Sequence, residues 1–173
     1  MIHRRLQPTD GTLLSVDRRQ TLRALALACT AALAPVLVRA DATAKLPVPR
    51  SLAESLDAAL RSGQPLVVMV SLDGCAFCKV ARAHYLAPMQ QREGLPVVQL
   101  NMRTSTPVLD FQGASTTHDA LVRQWGVRVA PTVLFFGAGG VEVAERLRGA
   151  SIPDYYGAYL DQRLSVARAV VQR

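Results

Sequence analysis

Residues Ser71–Tyr85 read SLDGCAFCKVARAHY, and the two cysteines near the centre, Cys75 and Cys78, are separated by Ala76 and Phe77. A pair at this spacing can exchange disulfides, supply part of a metal site or act as a staple, and its surroundings decide between them. On its N-terminal side lies PLVVMVS, residues 65–71, a short apolar run rich in β-branched residues that predicts a buried strand. Asp73-Gly74 then turns the chain into the pair. From Cys75 the residues Ala76, Lys79, Val80, Ala81, Arg82 and Ala83 favour helix. Pro88 is expected to kink or end that helix, because it lacks an N–H and crowds the preceding turn. The pair therefore stands where a buried strand ends and a helix begins.

That junction has a chemical consequence. Unpaired N–H groups and the macrodipole at a helix N-terminus favour an anion. The Cys75 thiolate is thereby stabilised, and its pKa is expected below the free value of about 8.5. Cys78 follows one turn later on the same face, so the two sulfurs can meet. An exposed attacking thiolate and a more buried resolving thiol result.

The third cysteine, Cys29, sits in a segment with the order of an export signal. Arg18, Arg19 and Arg23 precede the apolar run Ala24–Val38, and Ala40-Asp41-Ala42 supplies small residues at −3 and −1 of a cleavage site. The run contains Pro35 and is shorter than the ~20 residues of a spanning helix. At the start of that run, DRRQTLRAL (residues 17–25) looks like a twin-arginine signal, with Thr21 where that pattern favours an apolar residue, and both export routes stay open. Residues 1–42 are thus expected to be a signal peptide cleaved near Ala42, leaving a periplasmic chain with no stable membrane span. Cys29 leaves with the signal, and Cys75 and Cys78 remain in a compartment where disulfides persist. Closing so short a loop stabilises little, which argues against a purely structural staple.

The chain is 173 residues long with 50% apolar and 19% charged residues, enough for one domain with a hydrophobic core. The formal charge of +7 is spread out. Residues 1–42 hold six arginines against three acids, and the remainder holds 14 basic residues against 10 acids. Charges scattered singly make no basic stripe, so no nucleic-acid partner is expected.

The domain is placed at residues 51–173, after a Pro-containing linker over 43–50. Ser51 and Glu54 form a capping box opening a helix with Leu52, Leu56, Ala59 and Leu60 on one face, ended by Ser62-Gly63. LPVVQLNM, residues 95–102, predicts a second buried strand. After a polar stretch, Thr116 or Thr117 caps a helix through Trp125 that Gly126 closes. Pro131 precedes a third strand, TVLFF (132–136). VEVAERLRG, 141–149, is read as one half-buried strand with its odd positions facing inward. A last helix over about 153–170 places Tyr156, Leu160, Leu164 and Ala167 on one stripe. Strands joined through helices are expected to run parallel, and the Gly-rich turn at 137–140 to make an antiparallel hairpin.

Together, LVVMVS, CAFCK, VRVAPTVLFF, the hairpin turn and Gly149 before the last helix resemble the thioredoxin superfamily over about residues 51–168. The narrower likeness is to exported thioredoxin-like proteins such as those of sulfur-oxidation (Sox) systems and the C-terminal domain of the transmembrane reductase DsbD. The resemblance implies an α/β thioredoxin-like fold, a central mixed β-sheet flanked by helices. It implies thiol–disulfide exchange with Cys75 as nucleophile and Cys78 as resolving thiol, the two forming the redox disulfide. A cis Ala130–Pro131 bond would form a substrate groove. Protein disulfides would be the substrates, a membrane or periplasmic redox protein the partner, and no cofactor or metal would be needed. Two positions depart from the pattern: Gly74 stands where thioredoxin has tryptophan, and Met69 where many members bury an acid.

The rival reading is a copper(I)-binding chaperone using the same thiolates, since soft ligands suit that ion. Zinc needs about four ligands, and beyond the pair only His84 and His118 are offered outside the signal segment. His84 is expected on a solvated helix face, and His118 near a helix start as a capping or surface residue. Lys79 is expected to be solvated. Trp125, Phe135 and Phe136 are expected to pack the core, with Tyr155 and Tyr156 covering the last helix.

Overall fold

The computed structural model describes residues 44–150 and 153–173. The expected export signal, with Cys29 and Ala42, lies outside the described residues. Residues 44–50 do not form a free linker: Leu46 and Pro49 are buried, and the Pro47 carbonyl accepts from Gln99 N–H at 2.8 Å. Helix α1 (Leu52–Arg61) opens as expected, with Ser51 Oγ accepting from Glu54 N–H at 3.2 Å. Strand β1 (Leu66–Ser71) is buried throughout its length. From the N-cap Cys75 onward come α2 (Ala76–Val80), which contains Cys78, then six residues of wider π-type turns (Ala81–Leu86) and α3 (Ala87–Glu93).

Pro88 does not end that helix. The extra residue in the π turn lets Ala87 N–H reach Arg82 O five residues back, and a proline beginning the next α segment then owes no hydrogen bond. Gly94, with a φ of +66°, caps the end.

Strand β2 (Val97–Asn101) pairs parallel to β1, as the helical crossover predicts. The polar stretch that follows contains a hairpin the periodicity does not signal, β3 (Pro107–Leu109) with β4 (Ser115–Thr117). Asp110 organises its turn, Oδ1 accepting from Gln112 N–H at 2.9 Å and Ala114 N–H at 2.8 Å. Thr117 caps α4 (His118–Gln124) through Ala120 N–H.

Strand β5 (Thr132–Gly137) runs antiparallel to β1, with Val70 opposite Thr132 and Leu66 opposite Phe136, which corrects the expectation of a parallel third strand. The connection from β2 runs through residues 102–131, with the β3–β4 hairpin and α4, and brings the chain back into the sheet at the end where β1 finishes, Thr132 lying opposite Val70.

The expected strand over 141–149 is interrupted. Within that stretch two short strands, β6 (Val141–Glu142) and β7 (Leu147–Arg148), pair with β5, and Val141 is 62% exposed. Between them Arg146 pairs with Glu142 and donates to Trp125 O at 2.7 Å, which the alternating pattern would forbid. The sheet order is β2-β1-β5-β6, with β7 also on β5.

Period-two alternation divides the core across this sheet. On one face Val67, Met69, Val133 and Phe135 pack with Cys78, Ala81 and Leu86 and with Tyr156, Leu160, Leu164 and Ala167 of α5 (Pro153–Val171). On the other, Val68, Val70, Leu134 and Phe136 pack with Leu52 and Leu56 of α1 and Leu121 and Val122 of α4. The structure is an α/β fold with a mixed sheet between helical layers.

His118 is a correction: it is fully buried, not at the surface, and its Nδ1 accepts from Asn101 N–H at 3.2 Å. Burial pushes its pKa below the ordinary 6.5. An unfolded chain therefore takes up a proton as pH falls through that value, while folded His118 resists it. The contribution to stability is complete above about pH 6.5 and shrinks below it. The urea midpoint is expected to fall between pH 7 and 5 less steeply in His118→Gln than in the wild type. Equal slopes would show that His118 carries none of the acid sensitivity.

Candidate functional site

The site begins at the end of β1. Gly74, at a φ of +73°, lets the chain turn sharply, and its N–H is held by Asp73 Oδ1 at 3.0 Å. Cys75 N–H donates to Leu72 O at 3.3 Å. Cys75 is then the N-cap of α2, in extended conformation, and its Sγ accepts from Cys78 N–H at 3.1 Å. Sulfur thus takes the position usually filled by a serine or aspartate oxygen. A hydrogen bond and the helix dipole both favour negative charge on that atom.

Cys75 and Cys78 are joined by a disulfide, with Cα atoms 5.2 Å apart. Their environments differ. Cys75 is half-buried, whereas Cys78 has no exposed surface and packs among the apolar residues of the α5 side of the sheet. Met69 is fully buried in the same cluster. Phe77, between the cysteines, projects at 54% exposure.

Facing the disulfide is the segment before β5. The Ala130–Pro131 peptide is cis, and Ala130 O lies 3.8 Å from Cys75 Sγ. This wall is fixed on both sides. Thr132 Oγ1 donates to Val129 O at 2.8 Å, and Gly149 N–H donates to Pro131 O at 2.7 Å. Val129 beside it is 49% exposed, so an exposed apolar side chain stands on each of the two segments, Phe77 in the motif and Val129 before the cis proline.

The structure brings Cys75, Cys78, Ala130 and Pro131 together, and leaves the two histidines elsewhere. His84 is exposed on the π-type turns, and His118 packs onto β2 from α4. Among the described residues no three of His, Cys, Asp and Glu gather as metal ligands. Lys79 is exposed, as expected. Sequence reading missed a polar cluster beside the motif. Arg82 donates from Nε to Gln99 Oε1 at 2.8 Å and from Nη2 to Ser71 Oγ at 3.1 Å. The available signal was the pair of polar residues, Gln99 and Asn101, alternating within an otherwise apolar strand.

The family model described as a thioredoxin-like domain matches residues 52–164. No curated protein matches the sequence. Among solved structures, periplasmic thioredoxin SoxS from Paracoccus pantotrophus, in its reduced form, is 22% identical with a TM-score of 0.41, over 60% of this chain and 99% of that one. Thioredoxin f2 from Chlamydomonas reinhardtii is 19% identical with a TM-score of 0.44, over 66% of this chain and 94% of its own. A thioredoxin-fold protein from Helicobacter pylori is 13% identical with a TM-score of 0.45, over 64% and 83% respectively. These likenesses are low, and the family match is what identifies the domain.

Proposed function

The chain belongs to the thioredoxin-like family of thiol–disulfide oxidoreductases, and from that premise we propose that it is a periplasmic reductase of protein disulfides. The observation that carries the reading is the asymmetry of the pair. One sulfur caps a helix at an accessible edge, and the other is sealed in the core.

In the reducing direction the Cys75 thiolate attacks one sulfur of a partner disulfide. A Cys75–partner S–S bond forms, the partner's own S–S bond breaks, and its first thiolate leaves and takes a proton. Cys78 then loses its proton and attacks Cys75 Sγ, which releases the second partner thiolate and closes the Cys75–Cys78 disulfide. Two electrons pass from this chain to the partner. A dithiol-carrying redox protein, at the membrane or in the periplasm, must return them. Ala130 and Pro131 supply an extended backbone edge on which the partner segment can lie.

Export rests on the arginines, the apolar run and the Ala40-Asp41-Ala42 site of the sequence. Among the described residues no helix is long and apolar enough to cross a membrane. The test is redox titration of the purified protein against glutathione, with metal content measured after anaerobic purification. A reversible two-electron couple and reduction of a model disulfide such as insulin are expected. Stoichiometric copper without disulfide reduction would instead establish the chaperone reading.

A further inference from the structure

A cavity of about 430 Å³ opens beside the motif, between the end of β1, the π-type turns and β2, and the thiol chemistry makes no use of it. It is at the small end of ligand pockets. We propose that this cavity, built around the Arg82 guanidinium, is a binding site for a small oxyanion, a carboxylate or a sulfate-like group. The inference does not depend on the redox function.

A guanidinium carries five N–H donors. Arg82 uses one on Gln99 Oε1 and one on Ser71 Oγ. Among the described residues its guanidinium lies within ion-pair distance of no carboxylate, since the ion pairs there involve Arg123, Arg146, Arg163 and Arg168. Burial also disfavours its charge. A half-buried cation without a counter-ion is costly unless an anion meets it.

The neighbours repeat the pattern. Gln99 Nε2 donates to Asn101 Oδ1 at 2.7 Å, which leaves the Asn101 amide N–H₂ as unused donors. The Ser71 hydroxyl oxygen already accepts from Arg82, so its O–H remains to be given. Lys45 lines the same cavity and adds a second cation. The single carboxylate on the wall is Asp73, whose Oδ1 accepts from Gly74 N–H. Two cations and spare N–H and O–H groups, facing one carboxylate, select an anion with several acceptor oxygens. The planar fork of Arg82 suits a carboxylate or sulfate edge better than a monatomic ion.

The experiment is a titration of the ¹⁵N-labelled protein with sodium sulfate and, separately, disodium succinate, with ionic strength held constant by sodium chloride. Saturable shifts are expected at the amides of Ser71, Gln99 and Asn101, and the tighter of the two anions identifies the inorganic or the carboxylate source. Arg82→Met should weaken binding by at least about tenfold, the loss of a charge-assisted contact. Asn101→Asp keeps the side chain's shape while adding a negative charge, so it should abolish binding even if Arg82→Met disturbs the fold. The proposal is overturned if neither anion shifts these amides beyond chloride, or if Asn101→Asp binds sulfate and succinate as tightly as the wild type.

Discussion

Cys78→Ser is expected to accumulate partner proteins as mixed disulfides through Cys75, whereas Cys75→Ser is expected to trap none and to show disulfide reduction only at the uncatalysed background. The reason is access combined with charge. Cys75 is half-buried, with the exposed Phe77 following it in the motif, while Cys78 has no exposed surface at all. The Cys78 N–H directed at Cys75 Sγ stabilises the thiolate of one sulfur and not the other. A thiol at the free pKa of about 8.5 is only about 3% ionised at pH 7. The helix-capping position of Cys75 is expected to enlarge that fraction, which makes it the attacking sulfur. Alkylation of the reduced protein with iodoacetamide at pH 7, read by mass spectrometry, should therefore modify Cys75 at least about ten times faster than Cys78. Trapping through Cys78 in Cys75→Ser, at the efficiency of the opposite variant, would reverse the roles assigned here.

How far the sequence discloses this site depends on the range of the interactions involved. The strand at 65–71, the Ser51 and Thr117 caps and the cysteine at the helix N-terminus are local matters, and local patterns report them well. The stripe of Tyr156, Leu160, Leu164 and Ala167 is local too, and all four are buried. The direction of β5 is not local. It is set by where a connection of residues 102–131, with its own hairpin and helix, re-enters the sheet, and no local pattern reports that. The β3–β4 hairpin is held by Asp110 in a turn between three-residue strands, below the length at which alternation carries a signal.

His118 and Arg82 escape for a related reason. Each has a polar character that suggests solvent, and each is drawn inward by a partner distant in sequence, Asn101 in one case and Gln99 in the other. Pro88 escapes because a π-type turn absorbs it. The pair itself was legible. The polar cluster around Arg82 was not.

Met69→Asp should destabilise the protein at pH 7 by about 3 kcal/mol or more, with Met69→Leu staying within about 1.5 kcal/mol of the wild type. Met69 has no exposed surface and shares its cluster with Cys78, Ala81, Val133 and Phe135, none of which can donate a side-chain hydrogen bond to a carboxylate except weakly through sulfur. A carboxyl there is pushed above the ordinary value of about 3.9 by desolvation, so the folded protein holds it neutral while the unfolded chain ionises it. The penalty is therefore least below about pH 3.9 and grows as pH rises toward the folded value, and urea melts at pH 4 and 7 should show the gap from wild type widening. The same dryness governs the chemistry. Cys78 must give up a proton before it can resolve the mixed disulfide, and none of its core neighbours is a base. The proton has to leave toward Cys75 and the solvent-facing side of the pair. A Met69→Asp protein as stable at pH 7 as Met69→Leu would show that water already reaches this layer, and Cys78 would then have a proton acceptor at its back.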